Sequence, residues 1–186
     1  MIRCYITRSP ARLDVIARNL AAGVEWIQIR EKTLSARALF ELVEAAIKLP
    51  NPHASKIIVN TRADVALAAG VAGAAGVHLP SGSPPARFWR RPGFLVGVSC
   101  HSVDDVRQAD AEGADYAVFG PVFQPLSKSS GLEPRGLDGL ARAAKAVRIP
   151  VLALGGVTRE NAGACVSSGA AGIAGISMFQ DALRAW

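Results

Sequence analysis

Short apolar or β-branched runs recur along the chain about every 20 to 30 residues, and alanine- or leucine-rich segments with helical spacing lie between them. The runs are residues 3–7, 26–30, 56–60, 76–79, 94–99, 116–119, 151–154 and 172–176. Segments 35–49, 63–69, 102–112, 137–147 and 158–168 place apolar side chains three and four apart, as helices covering a sheet must. Ser102-Val103-Asp104-Asp105 reads as a capping-box start, and Thr158 stands where an N-cap would follow the seventh strand. Alternation of this kind means parallel strands joined by helical crossovers. Repeated eight times without a break in composition, it predicts one domain over residues 1–186, an α/β protein folded as a closed (β/α)8 TIM barrel rather than an open sheet. The chain has 186 residues where such barrels usually have about 250, so its helices must be short and some incomplete.

Half of the residues are apolar, 19% are charged and the mean hydropathy is +0.24, which excludes a disordered chain. The longest apolar stretch, 65–77, is shorter than the roughly 20 residues a bilayer span requires, so no membrane association is expected. Met1 to Thr7 lacks a signal-peptide core and reads as a first strand, which makes the cytoplasm the expected location. Cys4, Cys100 and Cys165 are odd in number and lack CxxC spacing, so they are expected as buried small residues rather than as a disulfide frame or zinc site. Lysine and arginine exceed aspartate and glutamate by 21 to 15, giving a net charge of +6, which suits a phosphorylated small molecule or a polyanion. Only Arg87-Phe88-Trp89-Arg90-Arg91 mixes basic and aromatic residues densely, so no nucleic-acid partner is expected.

The loop-rich stretches 81–85 and 124–135 both follow strands, which puts them on the C-terminal face where barrels build their sites. Gly155-Gly156-Val157-Thr158 after the seventh strand and Gly169 to Ser177 through the eighth predict a phosphate cradle, with Gly155, Gly156, Ile176 and Ser177 as its members. Gln28-Ile29-Arg30-Glu31-Lys32 ends the second strand. Alternation sends Gln28 and Arg30 to one side, and the Arg30 and Lys32 cations suit an anionic substrate. Val59-Asn60-Thr61-Arg62 ends the third strand and Ser99-Cys100-His101 the fifth, and His101 is the best general acid or base by residue type. His78 reads as a satisfied core histidine and His53 as exposed. Ser127 and Lys128 lie in the long loop after the sixth strand, flanked by Gly131 and Gly136, and could close over a ligand. Gly136 joins the phosphate-binding candidates.

Taken in order, Gln28-Ile29-Arg30-Glu31-Lys32, Val59-Asn60-Thr61-Arg62, Gly76-Val77-His78-Leu79, Ser99-Cys100-His101, Phe119-Gly120-Pro121-Val122-Phe123, Ser127-Lys128 and Gly155-Gly156-Val157 resemble the thiamin phosphate synthase superfamily, which includes the TenI-type thiazole tautomerases. The resemblance implies a thiamin-pathway barrel. In its synthase branch, Gln28, Arg30, Lys32 and Asn60 would hold a pyrimidine diphosphate with magnesium, and Lys128 would lie near the diphosphate. Gly156, Ile176 and Ser177 would then hold a thiazole phosphate.

Three positions depart from that pattern. Thr61 stands where synthases carry a magnesium-binding aspartate, and Pro80-Ser81-Gly82-Ser83 replaces a Gly-Gln-Glu-Asp that supplies a second carboxylate. Pro121 stands where some tautomerases place a catalytic histidine. The resemblance therefore leans to the TenI-type branch. The expected activity is a thiazole tautomerase that aromatises a thiazole carboxylate phosphate by a proton shift, with His101 or Glu31 as proton carrier, Ser99 among the substrate groups, and no metal or other cofactor. The alternatives are a magnesium-dependent synthase and a non-catalytic binder of a thiazole or thiamin phosphate. A homodimer is the possible assembly, with Phe179, Leu183 and Trp186 exposing barrel wall for a partner chain to cover.

Overall fold

Alternating side-chain direction sorts every strand of this chain into an inner and an outer set. The structure, a computed structural model, describes residues 1–124 and 131–180. Strands β1 (Ile2–Ile6), β2 (Trp26–Ile29), β3 (Lys56–Asn60), β4 (Gly76–Leu79), β5 (Leu95–Cys100), β6 (Tyr116–Phe119), β7 (Val151–Ala153) and β8 (Gly172–Gly175) pair in sequence order, and β8 pairs back to β1 to close the barrel. All pairings are parallel. Cys4, Ile6, Trp26, Ile58, Tyr116, Val118, Leu152 and Ala174 form the cluster that fills the lumen. Their neighbours Tyr5, Ile27, Val59, Val77, Val96, Ala117, Phe119 and Ile173 belong to a second, larger cluster between strands and helices. Burial of one such side chain is worth about 1.5–3 kcal/mol, so the strand parity is strongly fixed.

Helices α1 (Leu13–Ala21), α2 (Ala36–Ile47), α3 (Ala63–Gly70), α4 (Val103–Ala111), α5 (Gly136–Lys145) and α6 (Arg159–Ser167) make the outer ring. The capping signals hold. Ser102 and Asp105 form a reciprocal capping box on α4, and Thr158 forms one with Asn161 on α6. After β4 and β8 the described residues make short 3-10 turns, Ala86–Phe88 and Ser177–Phe179, in place of full helices.

The strands fall within one residue of the predicted runs. Arg30, Leu154 and Ile176 lie just beyond strand ends rather than within them. Helix α1 is absent from the predicted segments. It spans only nine residues, and its N-cap Arg12 offers no side-chain cap to mark its start. Phe179 needs no partner chain: it is 2% exposed, its ring lies 5.8 Å from that of Tyr5, and its carbonyl accepts from Asn19 Nδ2 at 3.0 Å. Leu183 and Trp186 lie outside the described residues. The three cysteines are buried thiols. Among the described residues no helix is long and apolar enough to cross a membrane.

Candidate active site

Because parity is fixed, four polar side chains of the C-terminal halves of the strands turn into the barrel mouth: Gln28, Asn60, His78 and Ser99. Gln28 is 1% exposed, and its Nε2 is buried without a hydrogen-bond partner among the described residues. A buried amide donor left open costs about 1–3 kcal/mol, so it marks a position that a ligand can complete. One residue past β2, Arg30 is half-buried, and its backbone N–H donates to Thr7 Oγ1 at 2.9 Å. Lys32 is exposed. Between them Glu31 is buried; its Oε2 accepts from Ser9 Oγ at 2.7 Å, while Oε1 has no partner among the described residues. At the end of β3, Asn60 Nδ2 donates to Thr61 Oγ1 at 2.7 Å, and Thr61 itself has a positive φ of 66°.

His78 and Ser99 meet directly. His78 Nε2 lies 2.8 Å from Ser99 Oγ and Nδ1 lies 3.2 Å from the Tyr116 hydroxyl, so His78 is the satisfied core histidine that its strand context predicts. Burial pushes its pKa down to about 4, which keeps the ring neutral. His101, two residues beyond Ser99, is half-buried; its Nδ1 lies 2.6 Å from the carbonyl oxygen of Gly120 and its backbone N–H donates to Asp105 at 2.7 Å. Burial raises the Asp105 carboxyl, but the N–H of His101 and the Ser102 cap outweigh it and hold the group below its usual range. His53 is exposed, as expected.

The loop after β7 carries two left-handed glycines, Gly155 (φ 91°) and Gly156 (φ 61°). Both also face the loop after β6 at close range. A Cβ on Gly155 would come within 2.6 Å of Pro121, and one on Gly156 within 2.7 Å of the Phe123 Cβ and closer still to the Gln124 carbonyl. Packing of one loop on the other therefore demands glycine here, whatever the loop binds. Asn161 Nδ2 ties the Gly156 carbonyl to the α6 capping box at 3.0 Å. Gly136 (φ 67°) starts α5, and its N–H donates to the Val122 carbonyl at 3.0 Å, which joins the same loop from its other side. Ile176 and Ser177 follow β8 directly, on the neighbouring stave. Ser127 and Lys128 fall outside the described residues.

Magnesium takes oxygen ligands and is usually held through one or two carboxylates besides phosphate oxygens. Thr61 brings none. Ser83 Oγ donates to the Pro80 carbonyl at 2.8 Å. Asp64, the carboxylate nearest in sequence, is clasped by Arg62 Nε at 2.8 Å and by Nη2, and this guanidinium bond lowers its pKa. Among the described residues no cluster of three His, Cys, Asp or Glu side chains could hold a metal. This donor set does not fit a carboxylate-built magnesium site.

Sequence reasoning overlooks Tyr116, which stands in a plain apolar strand but reaches both His78 and the surroundings of Gln28. Its signal is the register partner Gly97 on β5, whose bare Cα leaves room for the phenol ring. Ser9 is likewise missed, because nothing local marks it as the partner of Glu31.

Comparisons with known proteins point to one family. The family model described as thiamine monophosphate synthase matches residues 4–179. The thiamine-phosphate synthase of Chlorobium luteolum is 45% identical over 185 residues, covering 97% of this chain and 86% of that one. The enzyme of the same name from Moorella thermoacetica is 39% identical over 168 residues, covering 89% of this chain and 79% of its own. Among solved structures, a thiamine phosphate pyrophosphorylase from Pyrococcus furiosus superposes with a TM-score of 0.83 at 30% identity, covering 95% of this chain and 85% of that one. A family model over residues 4–179 and a relative 45% identical over 97% of the chain show that the chain belongs to the thiamine monophosphate synthase family.

Proposed function

We propose that the chain is a thiamine-phosphate synthase that transfers the pyrimidine group of a pyrimidine diphosphate to a thiazole phosphate, with diphosphate as leaving group. The observation that carries this reading is the likeness, 45% identical over 97% of the chain, to a relative named thiamine-phosphate synthase. This favours the synthase over the tautomerase to which the departures at Thr61 and Ser83 point. The buried open amide of Gln28 supports it from the structure: a heteroaromatic ring with nitrogen acceptors completes such a donor.

In this reading Gln28, Asn60 and Ser99 orient the pyrimidine at the barrel mouth. Arg30 supplies a planar fork and Lys32 a mobile point charge to the diphosphate; Lys128, which the resemblance assigns to the same group, lies outside the described residues. Gly155, Gly156, Ile176 and Ser177 surround the thiazole phosphate, where backbone N–H groups meet its charge, and Gly136, whose own N–H is taken by the Val122 carbonyl, shapes the loop beside them. Binding both reactants at one rim turns their encounter into an intramolecular one, the largest contribution that positioning alone can make. The described carboxylates do not fit magnesium, and in this reading the chain's own cations, Arg30 and Lys32, face the leaving diphosphate.

One observation favours a second reading. His101 is held through Nδ1 by the Gly120 carbonyl, which presents Nε2 as an acceptor suited to the proton shift of a thiazole tautomerase. Incubating the protein with pyrimidine diphosphate and thiazole phosphate, and separately with the carboxylated thiazole tautomer, each with and without magnesium, decides. Thiamin phosphate from the first mixture supports the synthase. Aromatised thiazole from the second, with none from the first, replaces it with the tautomerase, and binding without turnover of either leaves a binder.

A further inference from the structure

Beneath the rim a single side chain reaches toward three other strands. Tyr116 on β6 is fully buried, and its ring occupies the space above Gly97 on β5, where a Cβ would fall inside the ring. Trp26 on β2 packs against it with centroids 4.6 Å apart and planes inclined by 58°. The hydroxyl reaches His78 Nδ1 on β4 at 3.2 Å and is flanked by the Gln28 amide of β2, while His78 Nε2 reaches Ser99 Oγ at 2.8 Å. The hydrogen bonds run Tyr116, His78, Ser99, with the Gln28 amide beside the phenol end, and Gln28 and Ser99 are side chains that the proposed function places on the pyrimidine.

A neutral imidazole has one N–H and one lone pair, so the chain has a direction. In one direction the Tyr116 O–H donates to Nδ1, Nε2–H donates to Ser99 Oγ, and the phenol oxygen faces the Gln28 donors. Reversed, Ser99 donates to Nε2, Nδ1–H donates to the phenol oxygen, and the Tyr116 O–H turns to the Gln28 carbonyl. Either way one proton placement sets both ends together. Gln28 Nε2 makes no hydrogen bond to a described residue, but its amide lies beside the phenol, and the first direction leaves the phenol oxygen free to accept one of its two N–H groups while the other stays open to the ligand.

We propose that Tyr116 is a positioning residue: its hydroxyl couples Gln28 to the His78–Ser99 pair, so that Ser99 accepts from His78 and turns its own O–H to the ligand as a donor. This rests on the proposed function for the identity of the ligand, a polar heteroaromatic ring that both accepts and donates hydrogen bonds, but not for the coupling itself.

Two measurements test it. Nitrogen-15 NMR of the imidazoles in the wild-type protein at neutral pH is expected to show His78, assigned with His78→Gln, as the Nε2–H tautomer; the Nδ1–H tautomer overturns the proposal whether or not any variant folds. Tyr116→Phe removes only the hydroxyl. It is expected to move the His78 ring nitrogens and to raise KM for the pyrimidine diphosphate about tenfold, with kcat within about threefold and KM for the thiazole phosphate unchanged. Equal losses for both substrates, or unmoved ring nitrogens, reduce Tyr116 to a core residue and overturn the proposal. A wild-type protein that fails to condense the two substrates, yet shows the Nε2–H tautomer and its perturbation in Tyr116→Phe, refutes the synthase reading and leaves the coupling standing.

Discussion

His101 lies with Nδ1 2.6 Å from the carbonyl oxygen of Gly120, and because a carbonyl can only accept, the neutral ring must carry its proton on Nδ1 and its lone pair on Nε2. The contact joins the end of β5 to the loop after β6. Replacing His101 by alanine is expected to cost about 1 kcal/mol of stability, the net worth of one hydrogen bond, in urea unfolding. Joining a thiazole ring nitrogen to a carbon centre forms a cation without removing a proton. The same variant should therefore retain condensation to within about threefold, where loss of a general base would cost about 100-fold or more. A drop of that size would make His101 a proton carrier and return the tautomerase reading to the front.

His78 adds a pH dependence to stability. Burial lowers its pKa in the folded protein to about 4, below the 6.5 of an unfolded histidine, so between these values the unfolded chain binds more protons. The contribution is fully present above about pH 6.5 and is lost as pH falls toward 4, amounting to about 3 kcal/mol over the whole window. Urea midpoints measured from pH 7 to pH 4.5 should fall for the wild-type protein and fall distinctly less for His78→Gln, which cannot titrate. Parallel curves for the two proteins would mean that His78 is not buried as a neutral ring.

Much of the barrel is legible along the chain because strand parity and βα rhythm are local: β3, β4 and β6 begin and end where their apolar runs do, and the caps at Ser102 and Thr158 announce α4 and α6. Strand ends then bring Gln28, Arg30, Asn60, Ser99, His101 and Gly155 to one rim without any knowledge of their distances. What stays hidden depends on contacts between distant segments. Tyr116 looks like any strand aromatic until Gly97 opens space for it, and Ser9 becomes a partner of Glu31 only when β1 and β2 pair. The glycines at 155 and 156 are readable as special, but half of the reason, the approach of Pro121 and Phe123, lies in another loop.

Those loop glycines contrast with a glycine that should be dispensable. Gly156→Ala would force an alanine into φ 61° and press its Cβ to 2.7 Å from that of Phe123, so a loss of about 2 kcal/mol or more is expected, together with weaker binding of inorganic phosphate by calorimetry. Gly163 lies within α6 with nothing within 4 Å of a built Cβ. Gly163→Ala should raise stability by about 0.5–1 kcal/mol, the helix preference for alanine. Shifts of Tm with the same sign in both variants would remove the steric argument.

Thr61 is the residue whose replacement should improve the protein. A β-branched side chain at φ 66° is a strained exception, costing on the order of 1 kcal/mol, whereas aspartate and asparagine tolerate the left-handed region. Aspartate would also keep an acceptor for Asn60 Nδ2, which now donates to the threonine hydroxyl at 2.7 Å. Thr61→Asp is therefore expected to raise Tm by about 2–4 °C, the shift that about 1 kcal/mol produces in a domain of this size. The new carboxylate stands where synthases of the resembling pattern carry their magnesium-binding aspartate, so added magnesium should raise the Tm of the variant more than that of the wild-type protein. A lower Tm would show that the turn after β3 is built around threonine. Equal magnesium responses in the two proteins would show that the rim cannot hold the ion even with the carboxylate restored.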